Sequence, residues 1–181
     1  MSNLAIIVVD IQNEYFPGGK LPLIGIEKAA KNAAKVIEHA RSTKDFVVYL
    51  QHESTDSEAP FFTPGSQEVA IHPMVAPLES ETVLVKHFPN SFLETGLKEL
   101  LDKQGIDEVV VIGAMSHMCI DATSRAASDL GYKTMTIHDA CATMDLEFDD
   151  VKIPAHQVHA SIMAALAFAY GTVITTSQYI E

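Results

Sequence analysis

The sequence predicts an α/β fold in which helices cover both faces of a parallel sheet, giving three layers. Short runs rich in β-branched residues, such as residues 4–10, lack polar alternation and therefore indicate strands that are buried on both faces. Between these runs, apolar residues recur at helical spacing, and glycines stand where several helical segments end. Such alternation of strands and helices is typical of doubly wound parallel sheets with right-handed crossovers.

Six strands and four helices follow from this patterning. The strands are predicted over residues 4–10, 46–50, 82–86, 108–112, 133–138 and 172–176, and the helices over 26–40, 91–104, 118–130 and 155–170. Residues 91–94 have the spacing of a capping box, which is expected to start the second helix. Residues 52–80 contain several prolines and no period, and long loops of this kind are often functional.

Composition limits the classes of function. The 181 residues suffice for one well-cored domain, and 12 basic against 24 acidic side chains give a net charge of −12. Because such a surface repels phosphate backbones and anionic membranes, we expect no nucleic-acid or membrane partner. Two cysteines are too few for a disulfide framework, and the N-terminus, Met1 to Leu4, shows no basic region or cleavage site. We therefore expect a cytoplasmic protein.

Three chemically capable residues stand at predicted strand ends, where parallel sheets of this kind bind their ligands. Asp10 closes the first strand, either as a loop cap or as a partly desolvated base. Lys86 closes the third strand, and the default for a single lysine is to extend its ammonium to the surface. Cys119 follows the fourth strand, either as a small core residue or as a nucleophile.

Cys119 is predicted to lie near the start of a helix. Ser116 is a candidate N-cap, which places Cys119 at about the third helical position, where the helix dipole favours a thiolate. Cys141 has no helix start of its own and is predicted to be structural. A thiol, a carboxylate and an ammonium at one sheet edge form the set that nucleophilic catalysis needs. The residues alone therefore predict a cysteine hydrolase.

Four blocks of the sequence follow one another, along nearly the whole chain, in the order found in one protein family. They are VDIQNEYF at 9–16, FFTPG at 61–65 with IHP at 71–73, VK at 85–86 followed by Ser91, Phe92 and Thr95, and GAMSHMCI at 113–120 followed by Thr123, Ala126, Gly131 and residues 139–140. In these blocks the chain resembles the isochorismatase-like family of cysteine hydrolases. The resemblance implies a single hydrolase domain over residues 1–181, with a six-stranded sheet in the order 3-2-1-4-5-6.

The resemblance also implies the site residues. Asp10, Lys86 and Cys119 match the positions of the family's catalytic triad. The Ala114–Met115 peptide bond is expected to be cis, so that the backbone N–H groups of Met115 and Cys119 form an oxyanion hole. No cofactor is expected.

We interpret the chain as an enzyme that cleaves an amide-type C–N bond of a small molecule. In this hypothesis Cys119 attacks the acyl carbon, Asp10 transfers the proton, and Lys86 holds both groups and favours the ion-paired form. A thioester forms and is then hydrolysed. The alternatives are a vinyl ether hydrolase of the isochorismatase type, and a non-catalytic or redox-sensing protein with an idle triad.

The histidines form no recognisable metal motif. Nicotinamidases of the family bind a metal through an Asp-x-His pair after the second strand, where this chain has Gln51, His52 and Glu53. His52 and His72 stay open as ligands, although hydrogen bonding within the loop explains His72 better. We predict no catalytic metal. A solvated helix face is the expected setting of two further histidines, His156 and His159.

The substrate pocket is predicted from side chains on loops near the strand ends. The candidates are Phe16, Phe61, Phe62, Phe92 and His117. His117 is expected to face the substrate or a neighbouring subunit rather than to pair with Cys119 in a dyad. Few lysines lie near the strand ends, which favours a neutral or weakly charged substrate. The last helix is apolar nearly all round and predicts a homo-oligomer, from a dimer to larger assemblies.

Overall fold

The computed structural model describes residues 3–181 and contains a six-stranded parallel sheet. Met1 and Ser2, part of the N-terminus interpreted above, lie outside the described residues. The strands of the sheet are β1 (Leu4–Val9), β2 (Phe46–His52), β3 (Thr82–Lys86), β4 (Glu108–Ala114), β5 (Lys133–Ala142) and β8 (Thr172–Ile174). A separate antiparallel hairpin pairs β6 (Leu146–Phe148) with β7 (Val151–Ile153). The sheet order β3-β2-β1-β4-β5-β8 confirms the predicted topology, with β8 as the sixth strand of the sheet.

Helices connect the strands. They are α1 (Ile26–Thr43), α2 (Leu97–Lys103), α3 (Asp121–Asp129), α4 (Ala155–Ala169) and α5 (Thr176–Ile180). A π-helical turn, Ser116–Ile120, leads from β4 into α3. None of the helices in residues 3–181 is both long enough and apolar enough to cross a membrane.

Alternate residues of each central strand pack into different apolar layers, as the continuous β-branched runs predict. On one face, Ile6 and Val8 of β1 pack with α1. On the other face, Ala5, Ile7 and Val9 pack with residues of α2, α3 and α4. Both faces of the sheet are thus covered, and the three-layer α/β/α class is confirmed.

The predicted start of the second helix is wrong, because the backbone before Leu97 is not helical. Glu94 and Gly96 have φ values of 56° and 74°, in the left-handed region. The Ser91 hydroxyl does not cap a helix but accepts a 2.7 Å hydrogen bond from the Thr123 hydroxyl. The stretch 91–96 is therefore a turn that is held against α3.

The C-terminal third differs most from the sequence-based elements. Strand β5 runs on to Ala142, so that Cys141 lies within a strand and not after it. The sixth strand of the sheet ends at Ile174, and a capping box formed by Thr175 and Gln178 starts α5. The hairpin of β6 and β7 was not predicted. Its strands are only three residues long, which gives too few alternations to detect.

Gly113 allows β4 to pass close to β1 at the edge where the candidate residues gather. Its φ is 130°, and a Cβ atom at this position would collide with the carbonyl oxygen of Val9. Only glycine adopts this conformation without strain, and only glycine leaves room for the Val9 carbonyl.

We predict that Gly113→Ala lowers the free energy of unfolding by about 3 kcal/mol or more, because strain and overpacking add. Gly105→Ala is the matched control, since Gly105 has φ 68° and open space around it. We expect Gly105→Ala to lower the free energy of unfolding by about 1–2 kcal/mol. Urea denaturation of both variants is the measurement, and equal losses would contradict the close approach at Val9.

Candidate active site

Three strand ends bring Asp10, Lys86 and Cys119 together. Asp10 follows β1 directly, Lys86 is the last residue of β3, and Cys119 lies in the π-helical turn after β4. The Lys86 Nζ atom is 2.8 Å from Asp10 Oδ2 and 3.2 Å from Cys119 Sγ. All three side chains are buried. The structure therefore places the three predicted residues in mutual contact, beneath the surface of the sheet edge.

Asp10 turns sharply out of the strand. Its φ is 51°, in the left-handed region that aspartate tolerates better than most residues. Its backbone N–H still donates to the Leu50 carbonyl of β2, at 3.1 Å, so the residue stays tied to the sheet. The predicted strand thus ends at Val9, one residue before the carboxylate.

The Lys86 ammonium is the centre of the site. Besides Asp10 and Cys119, its Nζ atom contacts the Phe88 carbonyl at 3.0 Å and His52 Nδ1 at 3.2 Å. Burial lowers the pKa of Lys86, but the Asp10 carboxylate and Cys119 more than offset this, and the net shift is upward. Lys86 is therefore a charged donor at neutral pH. Its buried position differs from the surface default for a single lysine.

One carboxylate oxygen of Asp10 has a distinct role. Both Oδ1 and Oδ2 are buried and receive no well-directed hydrogen bond from an N–H or O–H group in residues 3–181, but Oδ2 forms the ion pair with Lys86 at 2.8 Å, and Oδ1 is the oxygen outside that pair. A carboxylate oxygen in this state is an acceptor that lacks its donor. It is available to take a proton from a group that approaches it.

The surroundings of the Cys119 thiol shift its pKa upward. Burial raises its pKa, Asp10 raises it further, and the opposing effect of Lys86 is smaller. This upward shift opposes the expectation that a helix start favours the thiolate, and that expectation stays a prediction. Met115, not Ser116, precedes the helical turn, and the Ser116 hydroxyl donates instead to the Ala142 carbonyl at 3.3 Å.

The peptide bond between Ala114 and Met115 is cis, the geometry that the family resemblance predicts. It lies between the end of β4 and the turn that carries Cys119. Met115 and Cys119 both line the same cavity. The oxyanion hole of their backbone N–H groups stays a prediction, and its two residues border the space that a ligand would enter.

A cavity of about 460 Å³ opens beside Cys119. Its wall is mainly apolar and includes Tyr15, Leu21, Pro60, Phe61, Phe62, Pro89, Met115 and Met118. Polar side chains at its edge are His52, Ser54, Thr55 and His87. The loop between β2 and β3 supplies much of this wall, as its length and lack of period predicted.

The candidate pocket residues divide into two groups. Phe61 and Phe62 line the cavity beside Cys119. Phe16 lies elsewhere, stacked on the His72 ring with centroids 3.6 Å apart, and Phe92 stacks on Tyr132. His117 Nδ1 is 2.6 Å from the Thr143 hydroxyl oxygen and is not among the residues lining the cavity. The structure therefore brings only two of the five candidates to the cavity.

His72 orders its loop. Its Nδ1 atom accepts a 3.2 Å hydrogen bond from the Met74 backbone N–H. Of the two histidines expected on a solvated helix face, His156 is exposed. His159 is half-buried, and its Nδ1 lies 2.8 Å from the Ser116 hydroxyl oxygen. The expectation for His159 is therefore wrong.

Asp10, His52 and Cys119 form the one group in residues 3–181 with the donor set of a metal site. Their ligand atoms lie within 4.8 Å of one another. The Lys86 ammonium, however, contacts all three of them, at 2.8, 3.2 and 3.2 Å. A protein cation thus stands where a metal ion would need to bind, and the group does not fit a metal.

Two buried polar residues next to Asp10 were missed by the sequence analysis. Gln12 donates through Nε2 to the carbonyls of Val69 and His52, at 2.6 and 2.9 Å, and accepts from the His52 N–H at 2.8 Å. Glu14 accepts from the backbone N–H of Phe62 at 2.8 Å, through Oε2. The polar run that follows Asp10 in the first block was the available signal. Both residues fix the walls of the cavity.

Comparison with known proteins places the chain among hydrolases. A model of the Isochorismatase domain matches residues 4–178. The uncharacterized isochorismatase family protein YddQ of Bacillus subtilis is 50% identical over 177 residues, 98% of each chain. A crystal structure from Oleispira antarctica, assigned to the isochorismatase hydrolases, has 49% identity and a TM-score of 0.96, and the match covers 99% of this chain and 97% of that one. Maleamate amidohydrolase of Pseudomonas putida is 29% identical over 75% of this chain and 70% of its own.

We predict that the two charged neighbours change the alkylation of Cys119 in opposite directions. Asp10→Asn removes a charge that raises the pKa of the thiol, so iodoacetamide should react faster at pH 8 than with the wild type. Lys86→Met removes the charge that lowers this pKa, so the reaction should be slower. Peptide mapping separates Cys119 from Cys141, whose pKa burial raises to about 12 and which serves as the internal control. Equal rates in both variants would contradict the assignment.

We also predict that removing only one member of the buried Asp10–Lys86 ion pair strongly destabilises the fold. Lys86→Met or Asp10→Asn alone should lower the free energy of unfolding by about 3–5 kcal/mol at pH 7, because an unpaired charge stays buried. The double variant should recover much of this loss. Lys98→Met, which breaks an exposed pair with Asp102, is the control and should change little. Additive losses in the double variant, measured by urea denaturation, would show that the pair is not coupled.

Proposed function

The chain belongs to the isochorismatase family, and from this premise we propose that it hydrolyses a C–N bond of a small amide through a thioester on Cys119. The observation that carries the proposal is the meeting of the buried Asp10 carboxylate and the Cys119 thiol at the Lys86 ammonium, with Asp10 Oδ1 free of any hydrogen bond in residues 3–181. Lys86 holds both groups at the wall of a cavity. This arrangement suits a nucleophile that loses its proton only as it attacks.

In the first step, Cys119 Sγ forms a bond to the acyl carbon while the thiol proton passes to Asp10. The carbonyl π electrons move to oxygen, and the N–H groups of Met115 and Cys119 stabilise the resulting oxyanion. The negative charge thus passes from Asp10 to the carbonyl oxygen, and the nearby Lys86 ammonium balances it. The raised pKa of Cys119 is no obstacle here, because general-base removal of the proton needs no standing thiolate.

In the second step, Asp10 returns the proton to the leaving nitrogen. The C–N bond breaks, and ammonia or an amine departs from a Cys119 thioester. Water then attacks the thioester, and Asp10 takes one of its protons. The C–S bond breaks, the acid is released, and the proton on Asp10 restores the thiol. Each half of the reaction uses the same carboxylate as base and then as acid.

The cavity favours a neutral substrate with a small apolar group. Phe61, Phe62 and Met118 give it an apolar wall. The charge of Lys86 is already paired with Asp10, which leaves it no spare charge for an anionic substrate. The name of the related maleamate amidohydrolase supports amide cleavage as the reaction type.

We further propose a homo-oligomer and a cytoplasmic setting. Phe168 on α4 is 91% exposed, and Phe148 and Val151 of the β6–β7 hairpin are exposed as well, which leaves apolar surface for a partner subunit. Cys119 and Cys141 are free thiols, as a reducing compartment favours. The expected partners are a small-molecule substrate and further copies of the chain.

We predict that a panel of small neutral amides contains a substrate detected by ammonia release. On that substrate, Cys119→Ala should lower kcat/KM by about 1000-fold or more, because the nucleophile is removed. Cys141→Ala is the matched control and should retain activity, since Cys141 lies within β5 and does not line the cavity beside Cys119.

Other outcomes identify the alternatives. Full activity of Cys119→Ala would exclude the thioester. Cleavage of a vinyl ether by both the wild type and Cys119→Ala would favour the isochorismatase-type reaction. No hydrolysis of any compound, together with reversible oxidation of Cys119, would favour a redox-sensing protein.

A further inference from the structure

His52 lies directly beside Lys86 because of the strand register. The parallel pairing of β2 with β3 aligns His52 with Lys86. The distance from Lys86 Nζ to His52 Nδ1 is 3.2 Å. His52 also lines the cavity beside Cys119. No residue of the proposed chemistry other than Lys86 is bonded to this imidazole in residues 3–181.

The contact with Lys86 determines the tautomer of His52. An ammonium has three donors and no acceptor, so a hydrogen bond in this contact requires Nδ1 to be the unprotonated nitrogen, with the ring proton on Nε2. The charges around the ring are consistent with a neutral imidazole. Burial lowers the pKa of His52, and the Lys86 charge lowers it further against an opposing effect of Asp10.

The His52 ring is held in place from two sides. Gln12 clamps its backbone by bonding to both the N–H and the carbonyl of His52. The Phe62 ring packs edge-to-face against the imidazole, with centroids 4.9 Å apart. Phe62 is itself held by Glu14. The hydrogen bonds of Gln12 therefore fix the backbone of His52, and the packing of Phe62 fixes the orientation of its ring.

Lys86 has more acceptors than protons. Asp10 Oδ2, Cys119 Sγ, the Phe88 carbonyl and His52 Nδ1 surround three N–H bonds. The Phe88 carbonyl and His52 Nδ1 take no part in the proposed chemistry. Their effect is to fix the position of Nζ, and with it the N–H bonds that face Asp10 and Cys119. Without His52 Nδ1 the three N–H bonds redistribute among the acceptors that stay, and their direction toward Asp10 and Cys119 changes.

We propose that His52 is a positioning residue that accepts a hydrogen bond from the Lys86 ammonium through Nδ1 and so aims Lys86 at Asp10 and Cys119. The role in turnover rests on the proposed function, but the hydrogen bond and the tautomer do not. His52 acts through Lys86 and takes no part in bond making or breaking.

The tautomer is tested without any substrate. In ¹⁵N NMR of histidine-labelled protein at pH 7, His52 should carry its proton on Nε2, with Nδ1 an unprotonated acceptor. Lys86→Met should shift the Nδ1 signal, and the exposed control Lys98→Met should not. A proton on Nδ1, an imidazolium, or an Nδ1 signal unchanged in Lys86→Met would overturn the proposal.

The role in turnover is tested by three variants of His52 on a substrate from the amide panel. The Asn oxygen can take the place of Nδ1, whereas the Gln oxygen reaches the position of Nε2. We expect His52→Ala and His52→Gln to lower kcat about 100-fold with KM nearly unchanged, because the lysine is misplaced. His52→Asn should retain activity within about 10-fold, as an acceptor at the Nδ1 position predicts. His156→Asn, on the exposed face of α4, is the matched control.

The two proposals fail in different ways. If no amide is hydrolysed, the proposed function fails while the NMR result still decides the hydrogen bond. If amides are hydrolysed and His52→Ala keeps the wild-type kcat, the positioning role is overturned and the thioester mechanism stands. If His52→Asn is as inactive as His52→Ala although its circular dichroism is native, the specific need for an acceptor at Nδ1 is overturned.

Discussion

The buried charge of Lys86 is the constraint on which the rest of the site depends. An ammonium without solvent needs several acceptors, and residues from four segments supply them: Asp10 after β1, His52 at the end of β2, Phe88 after β3 and Cys119 after β4. These acceptors converge because parallel strands present their carboxyl ends at one sheet edge. The strand order that places β1 between β2 and β4 is therefore what assembles the site.

The same charge explains how a thiol of raised pKa serves as a nucleophile. A standing thiolate next to the Asp10 carboxylate would place two negative charges side by side within a buried site. In the proposed resting state the Asp10 carboxylate pairs with Lys86 and the proton lies on sulfur, in line with the raised pKa of Cys119. During attack the proton passes to Asp10 as sulfur forms its bond to carbon. The proposed site therefore carries one negative charge throughout this step, and the Lys86 ammonium balances it. A cysteine made reactive by a helix dipole alone would not need the buried pair.

Much of the fold is predictable because it depends on local patterns. Continuous β-branched runs marked the strands of the sheet, and residues at their ends included Asp10, Lys86 and Cys119. The start of α2 was not predictable, since left-handed backbone at Glu94 overrides a capping-box spacing. The positions of Phe16, Phe92 and His117 depend on contacts with His72, Tyr132 and Thr143, which lie far away in the sequence. The role of His52 was open for a similar reason, because its contact with Lys86 depends on the register between β2 and β3.

The central claim is that an acyl group is bonded to Cys119 during hydrolysis, and partitioning with hydroxylamine tests it most directly. Amides and esters that share one acyl group but differ in the leaving group should give the same ratio of hydroxamate to acid, because all pass through one thioester. Cys119→Ala should form neither product. A ratio that changes with the leaving group, or product formation by Cys119→Ala, would contradict the account.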